Sequence, residues 1–550
     1  MLLIEHFERM APLVYTPSVG WACVNYHLLY RRPRGMFFSA DDRGAFASMA
    51  LNWPRNDVQA IVVSDGSRIL GLGDLGLNGM GICVGKADLY VAAAGFDPSR
   101  VLPVVLDVGT DNPRLLSDPL YMGVRRPRLK GREYYETADE LMGALTRRWP
   151  RAVVQFEDFA IDVARPLLDR YRHHHVVFND DIPGTAAVAL GGLYGAMRAQ
   201  GMPRAALARQ RVVVVGAGSA GMGVVETLAR GMERSAAAAA GGAGVGGSAA
   251  ADGGPPRGGG GWASGRFWVL DKDGLITRAR AGLPEHVAPF ARPAPTKEGA
   301  AADDCPGQEG GGGGGGGDDA AALADAEGED LVSVVRRVRP TVLLGLAGAG
   351  KLFTPEVLRA MADGVAAHAG ANGLARRPVV FAMSNPTSKL ECTAQEAHDH
   401  TGGAAIYASG SPQPDVVPSG GGGGAPPFST SQANNLYVFG GVALGAHLAR
   451  VPAVTDGMLM AAAEVLPELV AEEDARKGKV YPPLSQIRQV SAAVAAAVMR
   501  AAHADGLVTH SKVLAALSGT DEQLRGWVAQ RMWRPKAHTS LAYLPPGVGE

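Results

Sequence analysis

Cysteine is scarce in this chain. Only four cysteines occur among 550 residues, and no two of them stand in a Cys-x-x-Cys spacing; they are Cys23, Cys83, Cys305 and Cys392. This scarcity argues against a disulfide framework and against a cysteine-ligated zinc site. The sequence therefore fits a reducing compartment.

Long apolar runs and an excess of one charge are also missing. No run approaches the roughly 18 apolar residues that a membrane span needs, and the acidic first ten residues are unlike a secretory signal or a transit peptide. Lys and Arg number 53 against 54 Asp and Glu, a formal net charge of −1, so no global field attracts nucleic acid or an anionic membrane. We expect a soluble protein with neither partner, cytoplasmic as written, or mitochondrial or plastid if the N-terminus is incomplete.

What the chain does contain is enough apolar sequence for several cores. Hydrophobic residues make up 47% of it, and its length suggests about three domains. Gly/Ala-rich low-complexity stretches interrupt it near 235–265, 296–330 and 419–427. Such stretches cannot bury enough apolar surface to offset the entropy lost on ordering, so we predict disordered insertions there.

Two acidic pairs follow two short apolar runs, with a helical pattern between the runs. The pairs are Glu157-Asp158 and Asp180-Asp181. A strand-helix-strand unit would bring both pairs to neighbouring strand ends, where open α/β sheets place their sites. Converging carboxylates repel one another unless a cation neutralises them, and an all-oxygen set favours Mg²⁺ or Mn²⁺. Solvated helix caps are the alternative interpretation of an isolated acidic pair.

A glycine-rich turn follows the run RVVVV. Gly216, Gly218 and Gly221 form a Gly-x-Gly-x-x-Gly motif between a predicted strand and a predicted helix, as in dinucleotide-binding folds. The motif calls for an acid about 20 residues later. Asp271 lies 55 residues after Gly216, or 24 once the 31 residues of 235–265 are set aside. The pattern therefore predicts a nicotinamide dinucleotide site with an inserted loop.

Two further residues are candidates on weaker grounds. Lys86 lies in GICVGKADLY, which we interpret as a β-rich run after a glycine turn; half-buried beside carboxylates it could act as a base, and a surface lysine is the alternative. Tyr15 precedes Thr-Pro, and a tyrosine in such a position is more often a packed core residue than a catalytic one. The segment 345–351 superficially matches a nucleoside triphosphate loop, but Leu352 replaces the hydroxyl residue which that loop requires.

Longer motifs carry a family resemblance through most of the chain. In order they are YTPSVG (15–20), SDGSRILGLGDLG (64–76), GICVGKADLY (81–90), LPVVLDVGT (102–110), QFEDF (155–159), FNDDIPGTA (178–186), GAGSAGMG (216–223), FAMSNPTSKLECT (381–393) and QANNLYVFGG (432–441). Together they resemble malic enzyme, the NAD(P)-dependent oxidative decarboxylase of malate. The resemblance implies that malate is converted to pyruvate and CO₂ with Mg²⁺ or Mn²⁺.

The resemblance also implies roles for individual residues. Metal ligands would be Glu157, Asp158 and Asp181. Lys86 would remove the C2 hydroxyl proton, Tyr15 would protonate C3 of the enol, and Asp180 would assist them. Arg68 would clamp a malate carboxylate near the nicotinamide. Cofactor contacts would come from Arg68, Gly216, Gly218, Ser219, Gly221, Asp271 and Asn385, and substrate contacts from Arg68, Asn385 and Asn435.

The implied fold class is α/β, with a Rossmann-type parallel-sheet dinucleotide domain inserted in an α/β metal- and substrate-binding domain and a helical C-terminus. We expect the metal and substrate domain at 1–180, the NAD(P) domain at 181–435, helices returning to the first domain at 436–505, and a C-terminal tail at 506–550. NAD is slightly favoured over NADP, because Asp271 suits a free ribose 2′-hydroxyl, although Lys272 and Arg278 could meet a phosphate.

Three departures from the family pattern are expected to weaken or destabilise the enzyme. Cys83 and Gly440 stand where proline is usual, and Pro183 stands where glutamine is usual. A homodimer or homotetramer is expected from the family, but only 14 residues precede Tyr15, so its assembly is in question. Malolactic chemistry and a catalytically silent binding or assembly subunit are the alternatives to malate oxidation.

Overall fold

Two mainly parallel sheets form the framework of the molecule. The structure is a computed structural model that describes residues 2–239, 262–293, 325–369, 374–385, 387–417 and 427–535. The first sheet has the order β1-β3-β2-β4-β5, entirely parallel. Its strands are β1 (Met36–Ser39), β2 (Ala60–Ser64), β3 (Val101–Asp107), β4 (Val153–Phe156) and β5 (Val177–Asn179).

The second sheet has seven strands in the order β12-β11-β10-β9-β6-β7-β8. Neighbours are parallel except β7 and β8, which are antiparallel. Its strands are β6 (Val212–Val215), β7 (Phe267–Asp271), β8 (Gly274–Leu275), β9 (Val342–Gly345), β10 (Val379–Ala382), β11 (Ile406–Ser409) and β12 (Thr430–Gln432). These two sheets confirm the predicted α/β class.

Helices cover the sheets and join them. Those in the described residues are α1 (Leu2–Glu5), α2 (Phe7–Val14), α3 (Ser18–Val24), α4 (Tyr26–Leu29), α5 (Phe46–Leu51), α6 (Met80–Ala92), α7 (Pro113–Ser117), α8 (Gly131–Arg148), α9 (Ile161–Tyr171), α10 (Thr185–Arg198), α11 (Ser219–Ala239), α12 (Leu331–Val338), α13 (Pro355–Ala366), α14 (Ala394–Thr401), α15 (Phe439–Ala449), α16 (Asp456–Val465), α17 (Glu472–Arg476), α18 (Ile487–Ala504), α19 (Ser511–Leu517) and α20 (Asp521–Ala529). A π-helical turn, Asp180–Gly184, links β5 to α10. No helix of the described residues is both long and apolar enough to cross a membrane.

The core follows from the composition of these elements. All seven residues of β3 and all four of β6 are buried, as expected of parallel strands covered on both faces. Helix α10 buries twelve of its fourteen residues, so it is an internal helix. One continuous apolar cluster includes side chains of β2, α10, β6 and α18. The first sheet, whose strands β4 and β5 precede the two acidic pairs, therefore packs on this continuous apolar core.

The β-rich interpretation of GICVGKADLY is wrong, because this segment lies within the buried helix α6. The helix is apolar almost all round, so it lacks the polar stripe that marks an amphipathic helix in a sequence. The glycines that suggested turns allow close packing instead. A Cβ on Gly81 would lie 2.7 Å from the Cys23 sulfur, and one on Gly85 would lie 3.0 Å from Val19. Lys86 therefore projects from the middle of a buried helix.

Parts of the first two predicted insertions, at 235–239, 262–265 and 325–330, belong to the described structure. Helix α11 continues to Ala239, and the hydroxyl of Ser235 lies 2.8 Å from that of Tyr194. Asp325 is buried and accepts a hydrogen bond of 2.9 Å from the Trp268 indole. The remaining parts, at 240–261, 294–324 and 418–426, lie outside the described residues. In the segment predicted as a tail, helices α19 and α20 are formed.

Candidate active site

The two acidic pairs meet at one edge of the first sheet. Strands β4 and β5 are parallel neighbours with Phe156 opposite Asn179, so the residues that follow them share one sheet edge, as the sequence predicted. Carboxylate oxygens of Glu157, Asp158 and Asp181 lie within 4.8 Å of one another. This set matches the three metal ligands that the resemblance implied.

Each of these three carboxylates has one oxygen held by a protein donor. The Asp158 carboxylate accepts a hydrogen bond of 3.0 Å from the Leu70 amide, and that of Asp181 accepts one of 2.8 Å from the Asp158 amide. Glu157 accepts one of 2.7 Å from the Gln155 side chain. Asp158 also adopts a left-handed φ of 54°, a conformation that is uncommon outside glycine and typical of functional sites. Amide donors thus fix the orientation of all three carboxylates.

Burial and mutual repulsion determine the electrostatics of the cluster. Burial raises the pKa of Glu157 and Asp158 well above their usual values, and the Asp181 charge raises that of Asp158 further. Burial also raises the pKa of Asp181. A divalent cation would relieve both effects, and three oxygen donors without nitrogen or sulfur suit Mg²⁺ or Mn²⁺. The donor set therefore fits the metal.

Lys86 lies directly against this cluster. Its side chain is fully buried, with Nζ 3.0 Å from Glu157 Oε1 and in an ion pair with Asp180. Burial lowers the pKa of Lys86, but the charges of Asp180 and Glu157 outweigh it, and the pKa is raised well above its usual value. The ammonium also lies over the rings of Phe439, at 4.5 Å, and Tyr15, at 5.3 Å.

Tyr15 follows α2, and only 7% of its surface is exposed. Burial raises its pKa well above the usual value; Lys86 lowers that pKa, and the nearby carboxylates raise it. The phenol is therefore protonated at neutral pH and able to donate. Base and acid candidates that lie 71 residues apart in sequence are neighbours in space.

Arg68 also reaches the cluster. Its amide donates to the Asp158 carbonyl at 3.2 Å, and its charge lowers the pKa of Asp158 and Asp181. The loop that carries it is held by a buried arginine which the sequence analysis missed. Arg128 pairs with Asp65 at 3.0 Å and Asp74 at 3.1 Å. No local signal marks Arg128, because its partners come from distant segments.

The three glycines of the turn after β6 differ in what surrounds them. Gly216 has φ 124°, and a Cβ there would lie 2.6 Å from the Leu346 backbone; one on Gly221 would lie 2.2 Å from the Gly216 carbonyl. A Cβ on Gly218 would meet only Ile161, at 4.0 Å. Internal packing thus explains the first and third glycines, while the second leaves the open space that a pyrophosphate needs. Ser219 begins α11 directly after it.

The remaining cofactor and substrate candidates lie near the second sheet. Asp271 ends β7, pairs with Arg280 and accepts a hydrogen bond of 2.9 Å from the amide of Asp273. Asn385 follows β10 and accepts one of 2.8 Å from the Ser411 hydroxyl. Asn435 begins the short 3-10 turn before α15 and is half-buried. Their predicted contacts with malate and nucleotide stay predictions.

Two of the three departures from the family pattern, Cys83 and Gly440, occupy tightly packed positions, and Pro183 is half-buried. Cys83 is a free, buried thiol in α6 whose Sγ donates to the Val104 carbonyl at 3.4 Å. Pro183 lies in the π-helical turn. A Cβ on Gly440, in α15, would lie 2.8 Å from that of Ala94. The expected loss of activity or stability stays a prediction.

Comparison with known proteins matches both parts of the chain to one family. Residues 1–172 match the model of the malic enzyme N-terminal domain, and residues 182–503 match that of the malic enzyme NAD-binding domain. Two solved structures cover nearly the whole fold: the Entamoeba histolytica malic enzyme (TM-score 0.54, 20% identity, 95% of this chain and 80% of that one) and the Pyrococcus horikoshii malic enzyme (0.54, 19%, 96% and 89%). They support the fold.

Sequence relatives are more similar. NAD-dependent malic enzyme 2, mitochondrial, of Arabidopsis thaliana is 44% identical over 97% of this chain and 78% of its own length. NAD-dependent malic enzyme, mitochondrial, of Solanum tuberosum is 45% identical over 98% and 78%, and NADP-dependent malic enzyme of Columba livia is 40% identical over 91% and 78%. The resemblance drawn from the motifs is confirmed, and the chain belongs to the malic enzyme family.

Proposed function

We propose that this chain oxidatively decarboxylates malate to pyruvate and CO₂, with reduction of NAD, at the cluster of Lys86, Tyr15 and the three carboxylates. One observation carries the proposal. A buried lysine lies 3.0 Å from Glu157 and 5.3 Å from the Tyr15 ring, so an amine and a phenol flank one oxygen-rich cation site. Its two carboxylate partners hold the lysine charged, and the amine becomes a proton acceptor when a bound cation takes over the charge of Glu157. Oxidation of an alcohol followed by protonation of an enol needs both a proton acceptor and a proton donor.

Glu157, Asp158 and Asp181 would hold Mg²⁺ or Mn²⁺. When bound, the metal supplies Lewis acidity toward the C2 oxygen, and the nicotinamide supplies the hydride acceptor. In its neutral form Lys86 takes the proton of the C2 hydroxyl, and Asp180, its ion-pair partner in the charged form, orients the amine. Tyr15 then delivers a proton to C3, and Arg68 holds a malate carboxylate near the acidic cluster.

NAD is the proposed oxidant. Asp271 ends β7, the second strand of the dinucleotide-binding unit, where a carboxylate suits the ribose 2′-hydroxyl and repels a 2′-phosphate. The relatives named NAD-dependent are 44 and 45% identical to this chain, against 40% for the NADP-dependent relative. A kcat/KM for NADP equal to that for NAD would contradict this choice.

Assembly is proposed from the family to which the chain belongs, and location from the names of the relatives. We infer a homo-oligomer, to be tested by light scattering of the purified chain. A mitochondrial site of action is supported by the names of the plant relatives. Targeting of the full gene product fused to a fluorescent protein tests it.

Malate- and Mn²⁺-dependent NAD reduction by the purified protein tests the reaction. Substitution Lys86→Ala should lower kcat by about 10²- to 10⁴-fold, the usual contribution of a positioned proton acceptor. Lys477→Ala is a matched control, because this lysine pairs with an acid at 2.6 Å on an exposed helix. Pyruvate and NADH should appear in equal amounts. Lactate without net NADH, or no turnover by folded protein, contradicts the proposal.

A further inference from the structure

Glu157, which pairs with Lys86, is also hydrogen-bonded to Gln155, and Gln155 in turn to Tyr90. Lys86 and Tyr90 are four residues apart on α6, so they share one helix face. Gln155 lies in β4 two residues before Glu157, so both side chains point to the same face of the sheet. The Tyr90 hydroxyl contacts the Gln155 carbonyl oxygen, and the Gln155 amide contacts Glu157 at 2.7 Å.

This chain of hydrogen bonds runs in one direction. A carboxylate only accepts, so Gln155 must present its NH₂ group to Glu157. Its carbonyl oxygen then faces Tyr90, whose hydroxyl must donate. The Tyr90 ring is fixed by the rings of Phe96, at 5.2 Å, and Phe439, at 5.1 Å. Donors of fixed position and polarity therefore end on one oxygen of Glu157.

Fold stability alone does not account for these two polar groups. Gln155 is fully buried and stands between the apolar residues Val154 and Phe156 in the sequence of β4. If Gln155 and Tyr90 were both replaced by apolar side chains of the same shape, the free energy of unfolding would change little. What the pair provides is a fixed orientation of the Glu157 carboxylate. It occupies Glu157 Oε2, whereas Oε1 pairs with Lys86 at 3.0 Å. A cation bound at Glu157 would therefore take Oε1 from Lys86 and leave Oε2 on Gln155.

We propose that Gln155, supported by Tyr90, is a positioning residue for Glu157, which it restricts to binding the metal through one oxygen. The inference rests on the proposed function, since it requires a cation at Glu157, Asp158 and Asp181. Groups that orient a metal ligand in this way commonly change affinity by about 10- to 100-fold when removed. Gln155 touches neither substrate nor cofactor in this role.

Mn²⁺ alone is the probe. The full chain, without malate or nucleotide, is titrated with Mn²⁺, and the free ion is measured by electron paramagnetic resonance. Gln155→Met should raise the Kd by about 10- to 100-fold, and Tyr90→Phe should raise it less, because the amide remains but loses its fixed orientation. The reading does not depend on turnover.

Matched controls separate positioning from general destabilisation. Tyr194→Phe removes a buried hydroxyl that bonds to Ser235 and to the Gly231 carbonyl, near the second sheet. Gln210→Met removes a buried amide that bonds to the Ala206 carbonyl. Both variants should keep the Mn²⁺ Kd of the unsubstituted protein even where they lower the melting temperature.

The outcomes are distinct. If the unsubstituted protein binds no Mn²⁺, the proposed metal site and this inference both fail. If it binds Mn²⁺ and the two variants at Gln155 and Tyr90 bind equally well, only this inference is overturned. Should Gln155→Met not fold, Tyr90→Phe decides the matter, because it keeps the aromatic packing intact.

Discussion

At the scale of the residue, the glycine turn separates a structural requirement from a functional one. Gly221→Ala places a Cβ 2.2 Å from the Gly216 carbonyl, and such overpacking should destabilise the protein by about 1–3 kcal/mol. Gly218→Ala meets only Ile161, at 4.0 Å, so its unfolding should be unchanged. If the dinucleotide approaches Gly218 as proposed, the KM of the Gly218→Ala variant for NAD should rise about tenfold. A loss of about 1.4 kcal/mol in binding free energy is enough for that change.

Urea unfolding and initial-rate kinetics on both variants test this contrast. Gly265→Ala is a suitable control, because a Cβ there meets nothing within 4 Å. An unchanged KM for NAD in a normally stable Gly218→Ala protein would remove the support for a pyrophosphate above this turn.

Residues that carry chemistry were predictable where a motif named them, and their supporting residues were not. Glu157 and Asp181 lie 24 residues apart at the ends of two apolar runs, so strand geometry alone brought them together. Arg128 acts through partners from distant segments, and Gln155 depends on Tyr90, which lies 65 residues earlier in the chain. Gln155 is the polar residue in the apolar run VVQF, and this was the only local sign that its side chain needs buried hydrogen-bond partners.

At the scale of the element, α6 shows where periodicity fails as a guide. Strands β4 and β5 and the helix between them followed the predicted pattern, because runs buried on both faces are short and continuous. A helix buried all round has the same continuous apolar character, and only its length separates it from a strand. Gly81 and Gly85 broke its 13 residues into shorter runs, so the sequence was interpreted as β-rich.

Helix α15 carries a histidine, His447, from whose environment we expect a loss of stability in mild acid. His447 is half-buried, and this burial lowers the pKa of its ring. The charges of Arg151, Arg450 and Arg100 lower that pKa further. The folded protein therefore favours the neutral ring. Its contribution to stability is present above the unfolded pKa, about 6.5, and is lost as the pH falls from there through the lower folded pKa.

His447→Gln should therefore flatten the decline in melting temperature between pH 7 and pH 5. Thermal melts in steps of half a pH unit measure that slope. His173→Gln, at an exposed position, should leave the slope unchanged. An equally steep decline in the His447 variant would show that other groups cause the acid sensitivity.

At the scale of the whole molecule, the two sheets are joined by a shared core and by helices that return to the first sheet. The five-stranded sheet ends at Asn179, and the next strand begins at Val212 in the second sheet. Helix α15, from the C-terminal third, packs against β4. The division at 1–180, 181–435, 436–505 and 506–550 stays a prediction. The sequence could not predict where the insertions end, because Asp325 is ordered by buried partners outside its own segment.

An ion-pair network also ties three helices of different parts of the molecule together. Asp456, at the start of α16, pairs with Arg172, just after α9, and at 2.6 Å with Arg230 of α11. Glu226 pairs with Arg230 at 2.8 Å and with Arg165 of α9 at 3.0 Å. Burial raises the pKa of Asp456, but the two arginines outweigh it, and the net shift is downward.

A carboxylate with a lowered folded pKa stabilises the protein above its unfolded pKa and loses that contribution as the pH falls through the folded value. Asp456→Asn should therefore lower the melting temperature at pH 7, and its difference from the unsubstituted protein should shrink below about pH 4, near the unfolded pKa. Asp139→Asn is the matched control, because Asp139 pairs with Arg170 within the first sheet's layer of helices. Asp139 pairs with one arginine and Asp456 with two, and a single partly exposed pair contributes about 0–1 kcal/mol, so the effect of Asp139→Asn should be smaller. Equal effects of the two substitutions at pH 7 would mean that the network adds no more stability than an ordinary surface pair.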